Sequence, residues 1–321
     1  MAAFASPFHQ SRPAAVLIGA GAMARALGLR LSEAGYPIAG VVSRTRRPAE
    51  DLARVLGAPV ASNQLRDIPA TAPLVILAVP DDQLADLAET LLEASRPWRD
   101  TVVLHTSGAV SASVLDPLRD VGATTLAFHP VQTLPPGADA GALEGVTVGL
   151  EGEPRGIAAG VELAVTLGLR YLVLEAEAKS RYHLASSMAS NLLVTLLGMV
   201  QEVTASIGLD REEAMAVLRP LLQGTLDNLS ASSPEEALTG PVARGDLGTL
   251  KAHGLALREH LPHLVPAYAA LSVETVRLAV RSGKLPPERA QDVLTLMEKM
   301  VTLPLPAASP VGLEAAGDGA G

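Results

Sequence analysis

Three groups of residues in this 321-residue sequence have the types and spacing to do chemistry. The first is Gly19-Ala20-Gly21-Ala22-Met23-Ala24, a G-x-G-x-x-A run that follows a short apolar segment. Between a strand and a helix, such a run cradles a pyrophosphate. Gly19 permits the tight turn, Gly21 lets the backbone approach the anion, and Ala24 allows close helix packing. The free N–H groups around Ala20, Ala22 and Met23, with the positive end of the helix dipole, then face the phosphates. Where NAD sites carry an acidic residue, roughly 20 positions further on, the sequence reads Ser43-Arg44-Thr45-Arg46-Arg47. No carboxylate stands there to bond ribose hydroxyls, whereas Ser43, Arg44 and Arg47 suit a 2′-phosphate through charge-assisted bonds. A solvated basic loop is the alternative. The cofactor expected is NADP(H).

The second group is Ser107 and His129, each placed just after an apolar segment that reads as a strand. Ligands gather at such strand ends in open α/β sheets. Reducing a carbonyl needs a proton donor at its oxygen, and imidazole titrates near neutrality. The competing reading of His129 is a structural histidine bonded to a backbone carbonyl, and His105 reads as half inside its strand. The third group is His183, Ser187 and Asn191, spaced i, i+4, i+8 on a helical segment, so that they share one face. They read either as active-site lining or as a polar stripe bonding between domains. Arg244, in the loop 240–246 ahead of the helix cap Asp246, suits bidentate clamping of a substrate carboxylate, or an ion pair holding the loop. Thr239 adds a hydroxyl donor. His253, His260 and His263 have no carboxylate at a recognised metal-ligand spacing, so no metal site is expected.

The elements that must position these residues follow from the apolar pattern. Short apolar runs at 14–19, 37–43, 74–80, 101–105, 124–128, 146–150 and 171–175 read as strands, alternating with helices up to about residue 168. Strands apolar on both faces imply a parallel sheet covered on both sides. Helices follow at 180–207, 210–228, 247–260, 266–282 and 287–301. The domain reading is a lead (1–13), a dinucleotide-binding domain (14–177), a helical substrate and dimerisation domain (178–302) and a tail (303–321). The lead and the tail are expected to be disordered.

Composition narrows the function classes. Lys and Arg number 25 against 34 Asp and Glu, a net charge of −9, and aromatic residues are 2%. An acidic, aromatic-poor chain is a poor nucleic-acid binder. With no cysteine, disulfides, thiolate metal sites and cysteine nucleophiles are excluded. The uncharged run 182–201 carries Ser186, Ser187, Ser190, Asn191 and Thr195, and is expected to be a buried helix beside a polar site rather than a membrane span.

These residues resemble those of a largely uncharacterised family that pairs a Rossmann-like domain with a helical domain of unknown function. The resemblance covers about residues 14–300. It rests on Val79-Pro80-Asp81-Asp82, His105-Thr106-Ser107-Gly108, Phe128-His129-Pro130-Val131-Gln132-Thr133 and Gly240-Pro241-Val242-Ala243-Arg244-Gly245-Asp246. It implies a Rossmann-type doubly wound α/β sheet followed by an all-α domain like that of 6-phosphogluconate dehydrogenase. The wider superfamily holds pyrroline-5-carboxylate reductase, ketopantoate reductase, prephenate dehydrogenase and the 3-hydroxyacid dehydrogenases. What this implies is an NADP(H)-dependent oxidoreductase acting on the C=O or C=N of a small anionic substrate, with ketopantoate the 2-oxo acid to test first. Val79 and Pro80 join the cofactor set. Ser107 and His129 are similar to the serine and His-Pro histidine with which prephenate dehydrogenases bond the substrate hydroxyl. Ketopantoate reductases carry Lys and Asn on the long helix where this chain has His183 and Ser187, and only Asn191 matches. The proton donor is therefore His129, His183 or neither, and a non-catalytic NADP(H)-binding sensor or scaffold stays open as the alternative. The superfamily also implies a cytoplasmic homodimer joined through the helical half.

Overall fold

The computed structural model describes residues 12–94 and 96–302; the expected lead before residue 12 and the tail lie outside them. The described residues form two compact units that divide between Leu192 and Leu193. The first is built on one eight-stranded sheet in the order β3-β2-β1-β4-β5-β6-β7-β8. Its strands are β1 (Ala15–Ile18), β2 (Ile38–Val42), β3 (Val60–Ser62), β4 (Leu74–Leu77), β5 (Val102–His105), β6 (Thr124–Pro130), β7 (Thr147–Gly152) and β8 (Arg170–Val173). Its helices are α1 (Ala22–Glu33), α2 (Arg46–Leu56), α3 (Leu84–Leu92), α4 (Asp116–Asp120), α5 (Pro154–Thr166) and α6 (Lys179–Ser187). Residues of β1, β4 and β5 alternate between two apolar clusters, one on each face of the sheet, as a doubly wound core requires.

Two features depart from the sequence pattern. The expected all-parallel sheet holds one antiparallel pair, β6 with β7, where His129 lies opposite Gly149. A strand buried on both faces reads the same in either direction, so its composition carries no sign of this. The edge strand β3, three residues long, is too short to show a period.

The order reverses between β1 and β4, which makes the carboxyl ends of these strands the switch point where ligands bind in open sheets. Gly19 leaves β1 there with φ +115°, and a Cβ on it would fall 2.1 Å from the carbonyl oxygen of Ala78. Only glycine fits.

The second unit contains α7 (Leu193–Ala205), α8 (Arg211–Ala231), α9 (Pro234–Ala237), α10 (Pro241–Arg244), α11 (Leu247–His260), α12 (Val265–Arg281) and α13 (Pro287–Thr302). Asp210 and Glu213 close a reciprocal capping box at the start of α8. The apolar core of this unit draws on residues 242–300. No residue of α7 is buried, and Ala214 is the only one in α8. The helical run 176–205 is long and apolar enough to cross a membrane, yet none of its most apolar window is buried. This corrects the expectation of a buried helix: Leu184, Met188, Val194 and Ile207 project outward. A π turn, Met188–Leu192, interrupts the run, and the two compact units divide at its end. The strand-to-helix composition shift comes earlier, at 176–179, because α6 still packs on the sheet.

Candidate functional site

The first part of the site is the cradle at the end of β1. Ala24 is fully buried against the sheet. Gly21 is exposed, has an ordinary φ of −80°, and a Cβ built on it meets nothing within 4 Å. The fold therefore demands glycine at 19 but not at 21; open space above Gly21, at the N-terminus of α1, is what an approaching anion requires. A cavity of about 430 Å³ adjoins it, lined by Gly19, Ser43, Arg44 and Val79, with Leu65 and Leu87 among its apolar walls. Asp86 is its carboxylate and Asn63 and Gln83 its amides. Among the described residues Arg44 makes no ion pair, whereas Arg46 pairs with Glu50 and Arg47 lies 4.0 Å from Asp51. Arg47 does not line the cavity. The Ser43 hydroxyl donates to the carbonyl of Thr45. Pro80 precedes the turn Asp81–Gln83 that leads into α3.

The second part is a polar cluster at the far ends of β5 and β6, met by α6. Ser107 is buried, and its Oγ accepts from the amides of Ala109 at 3.1 Å and Val110 at 3.0 Å. With both lone pairs engaged, the hydroxyl hydrogen is left to donate. A Cβ on Gly108 would fall 2.7 Å from Cε1 of His129 and 2.7 Å from Cδ2 of His183, so both imidazoles close over this glycine. Their rings meet edge to face, 6.1 Å apart. On the other side of His129, Nδ1 lies 3.3 Å from the hydroxyl of Tyr182. The structure thus gathers Ser107, His129 and His183. Ser187 is half-buried one turn beyond His183, and Asn191 is exposed within the π turn.

Beneath the cluster lies a buried ion pair absent from the sequence reading. Lys179 Nζ is 3.8 Å from Glu151 Oε2, with both side chains under 7% exposed. Glu151 also accepts from the Ser111 hydroxyl and, at 2.7 Å, from the Ala112 amide. One carboxylate thereby joins β7, the loop that follows Ser107, and the start of α6. Lys179 and Tyr182, at i and i+3, meet Glu151 and Gly149, at i and i+2, on one face of β7. A helix register meeting a strand register is invisible until the topology is known.

The electrostatics change the reading of the histidines. Burial, then the charge of Lys179, then His183 lower His129 to about 4, with Asp81 opposing. His105 ends β5 wholly buried, and burial and Lys179 lower it to about 3. Its Nδ1 accepts the Ser107 amide at 3.2 Å. Burial lowers Lys179 to about 8 against the pull of Glu151 and Asp81. Near pH 7 both imidazoles are neutral, so the expectation of a ring titrating near neutrality does not hold for His129 in the unliganded chain. A histidine depressed in the fold takes up protons more readily when unfolded, so its contribution to stability is complete above the unfolded value near 6.5 and lost as pH falls toward the folded value. Thermal stability should fall between about pH 6.5 and 4. His105→Asn, which retains an acceptor for the Ser107 amide, should fall less steeply. Parallel pH profiles of melting temperature for the two proteins would contradict this.

The remaining candidates belong to the second unit. Arg244 is exposed at the end of α10, a single helical turn where the sequence suggested a loop, and Asp246 caps α11 through the Thr249 amide. Thr239 lines a groove beside Pro220, Leu221 and Leu278. His263 meets Glu202 at 2.7 Å and His253 meets the Tyr268 hydroxyl at 2.9 Å, so each has a protein partner.

No protein of curated function matches the chain. Among solved structures, a protein of Bacteroides fragilis described as a candidate NADP oxidoreductase is 25% identical, with a TM-score of 0.69 over 82% of this chain and 97% of that one. A protein from Thermotoga maritima is 25% identical, with a TM-score of 0.67 over 83% and 99%. A reductive aminase from Aspergillus terreus, solved with NADPH, shares the fold at 18% identity and a TM-score of 0.52 over 91% and 94%. Residues 2–130 match the family described as a Rossmann-like domain, and residues 146–275 match the domain of unknown function DUF2520. The chain therefore belongs with the proteins that join a Rossmann-like domain to a DUF2520 domain.

Proposed function

We propose that the chain is an NADP(H)-dependent oxidoreductase that reduces the C=O or C=N of a small anionic substrate. The observation carrying this reading is that the open cradle at Gly21 and the polar cluster at Ser107 and His129 lie along the same carboxyl edge of one sheet. The residues fit the cofactor. Gly19, Gly21 and the start of α1 would hold the pyrophosphate, the cavity beside Leu65 and Leu87 the adenosine, and Ser43 with the unpaired Arg44 the 2′-phosphate. When bound, the reduced nicotinamide supplies a hydride.

The chain's own residues supply the rest. Ser107 donates its hydroxyl hydrogen to the substrate oxygen, and the neutral His129 ring offers a second N–H. A substrate anion beside that ring raises its pKa toward neutrality, which readies it for proton transfer. His183, Ser187 and Asn191, on α6 and the turn after it, extend the polar lining. Ketopantoate is the 2-oxo acid to test first. The experiment for the cofactor is calorimetric titration of Arg44→Ala. NADPH affinity should fall on the order of ten- to hundred-fold, one charged hydrogen bond being worth about 1.5–3 kcal/mol, while NADH is unaffected. Equal affinities for the two cofactors in the parent would contradict it.

We further propose that a second copy of the chain covers the outward apolar faces of α7 and α8. Val194, Val217 and Leu221, with Ile207 in the turn between the two helices, are each about two-thirds exposed, more than an isolated soluble chain normally leaves open over adjacent helices. A membrane suits the run 176–205 less well, because its first turns are tied to β7 through Lys179 and Tyr182. Light scattering should give close to twice 33.1 kDa; a monomer at all working concentrations would contradict the homodimer.

A further inference from the structure

Tyr182 is unremarkable in the sequence, yet it stands directly against the ring of His129. His129 and Gly149 face each other across the antiparallel pair of β6 and β7. Gly149 has no side chain, and the Tyr182 hydroxyl fills that space: a Cβ on Gly149 would lie 2.6 Å from the hydroxyl oxygen. The tyrosine ring meets the imidazole edge-on at 88°, with centroids 5.7 Å apart. Its oxygen is 3.3 Å from His129 Nδ1.

A phenol has one hydrogen to give. Between a phenol and a neutral imidazole, the phenol is the stronger acid and the bare ring nitrogen the stronger base. The phenol hydrogen is therefore directed at its polar neighbour, Nδ1 of His129. A neutral imidazole accepting at Nδ1 carries its hydrogen at Nε2. That nitrogen is at the Gly108 side of the ring, since a Cβ on Gly108 would lie 2.8 Å from it. Gly108 directly follows Ser107, so the N–H and the spare hydroxyl hydrogen of Ser107 come from adjoining points of the strand edge.

We propose that Tyr182 is a positioning residue that fixes the tautomer of His129, keeping the ring hydrogen on Nε2 for a substrate acceptor at the β5 end. The use made of that hydrogen rests on the reductase reading; the tautomer itself does not. The helix that carries His183 thus also orients His129, and docking of α6 on β7 prepares both rings together.

The test is ¹⁵N–¹H correlation spectroscopy of the histidine rings in the cofactor-free, full-length protein near pH 7.5, where His129 is neutral. His129 is assigned by the signal lost in His129→Gln. The parent should show protonated Nε2 and bare Nδ1. In Tyr182→Phe, which keeps the ring but not the hydroxyl, the Nδ1 resonance should shift and the preference relax to a mixture of tautomers. Gly149→Ala, which must displace the hydroxyl, should produce the same change, with circular dichroism confirming that each variant is folded. A parent ring protonated at Nδ1, or unchanged His129 resonances in a folded Tyr182→Phe, would overturn the proposal. An ordered Nε2–H tautomer in a protein that reduces nothing would leave this inference standing and remove the reductase reading.

Discussion

Gly21→Val should abolish dinucleotide binding and leave the protein folded, while Gly19→Ala should unfold or strongly destabilise it. The two glycines flank Ala20 and serve different ends. A methyl at 19 meets the Ala78 carbonyl at 2.1 Å and sits on a backbone with φ +115°. Overpacking and strain together should cost roughly 2–5 kcal/mol. A side chain at 21 meets no protein atom, and takes only the space into which phosphates would come. Losing two or more amide–phosphate bonds, at about 1.5–3 kcal/mol each, corresponds to a hundred-fold or greater fall in NADPH affinity. Denaturant melts and calorimetric titrations of both variants separate the effects. NADPH bound at parental affinity by a folded Gly21→Val protein would show that the phosphates bind elsewhere.

The second large effect is expected at His129. His129→Ala should lower turnover by about 10²–10⁴, as for loss of a positioned proton donor, without weakening NADPH. The ring stands at the carboxyl end of β6, remote in sequence from the cradle. His183→Ala should have a smaller effect if His183 lines the site, and a comparable one if it is the donor. Activity within about three-fold of the parent in a folded His129→Ala would remove His129 from the mechanism and leave His183.

Much of this was legible in the sequence, for physical reasons that also mark where it stopped. The strand, turn and helix around Gly19 and Gly21 are contiguous, so spacing alone places them. The unbroken apolar runs 74–77 and 102–104 announce a sheet covered on both faces. Ser107 and His129 could be assigned to strand ends because an apolar run gives way to polar residues at each, although β6 continues through His129 to Pro130. The pairing of Lys179 with Glu151 and the contact of Tyr182 with His129 were missed because the partners lie 28 to 53 positions apart, across a strand whose antiparallel direction no local pattern records. The neutral state of His129 was missed for a related reason: its pKa is set by burial and by the Lys179 charge, neither of which belongs to its own segment. The helix run 180–207 was read correctly as a helix but wrongly as buried, because apolarity says a face is covered without saying by what.

NADPH oxidation, followed at the nicotinamide absorbance against a panel of 2-oxo acids and cyclic imines, tests the reductase claim most directly. The expected result is turnover with at least one small anionic member, dependent on His129 and faster with NADPH than with NADH. Tight NADPH binding with no oxidation by any member of the panel would contradict it, and would make the chain a dinucleotide-binding protein without a reaction.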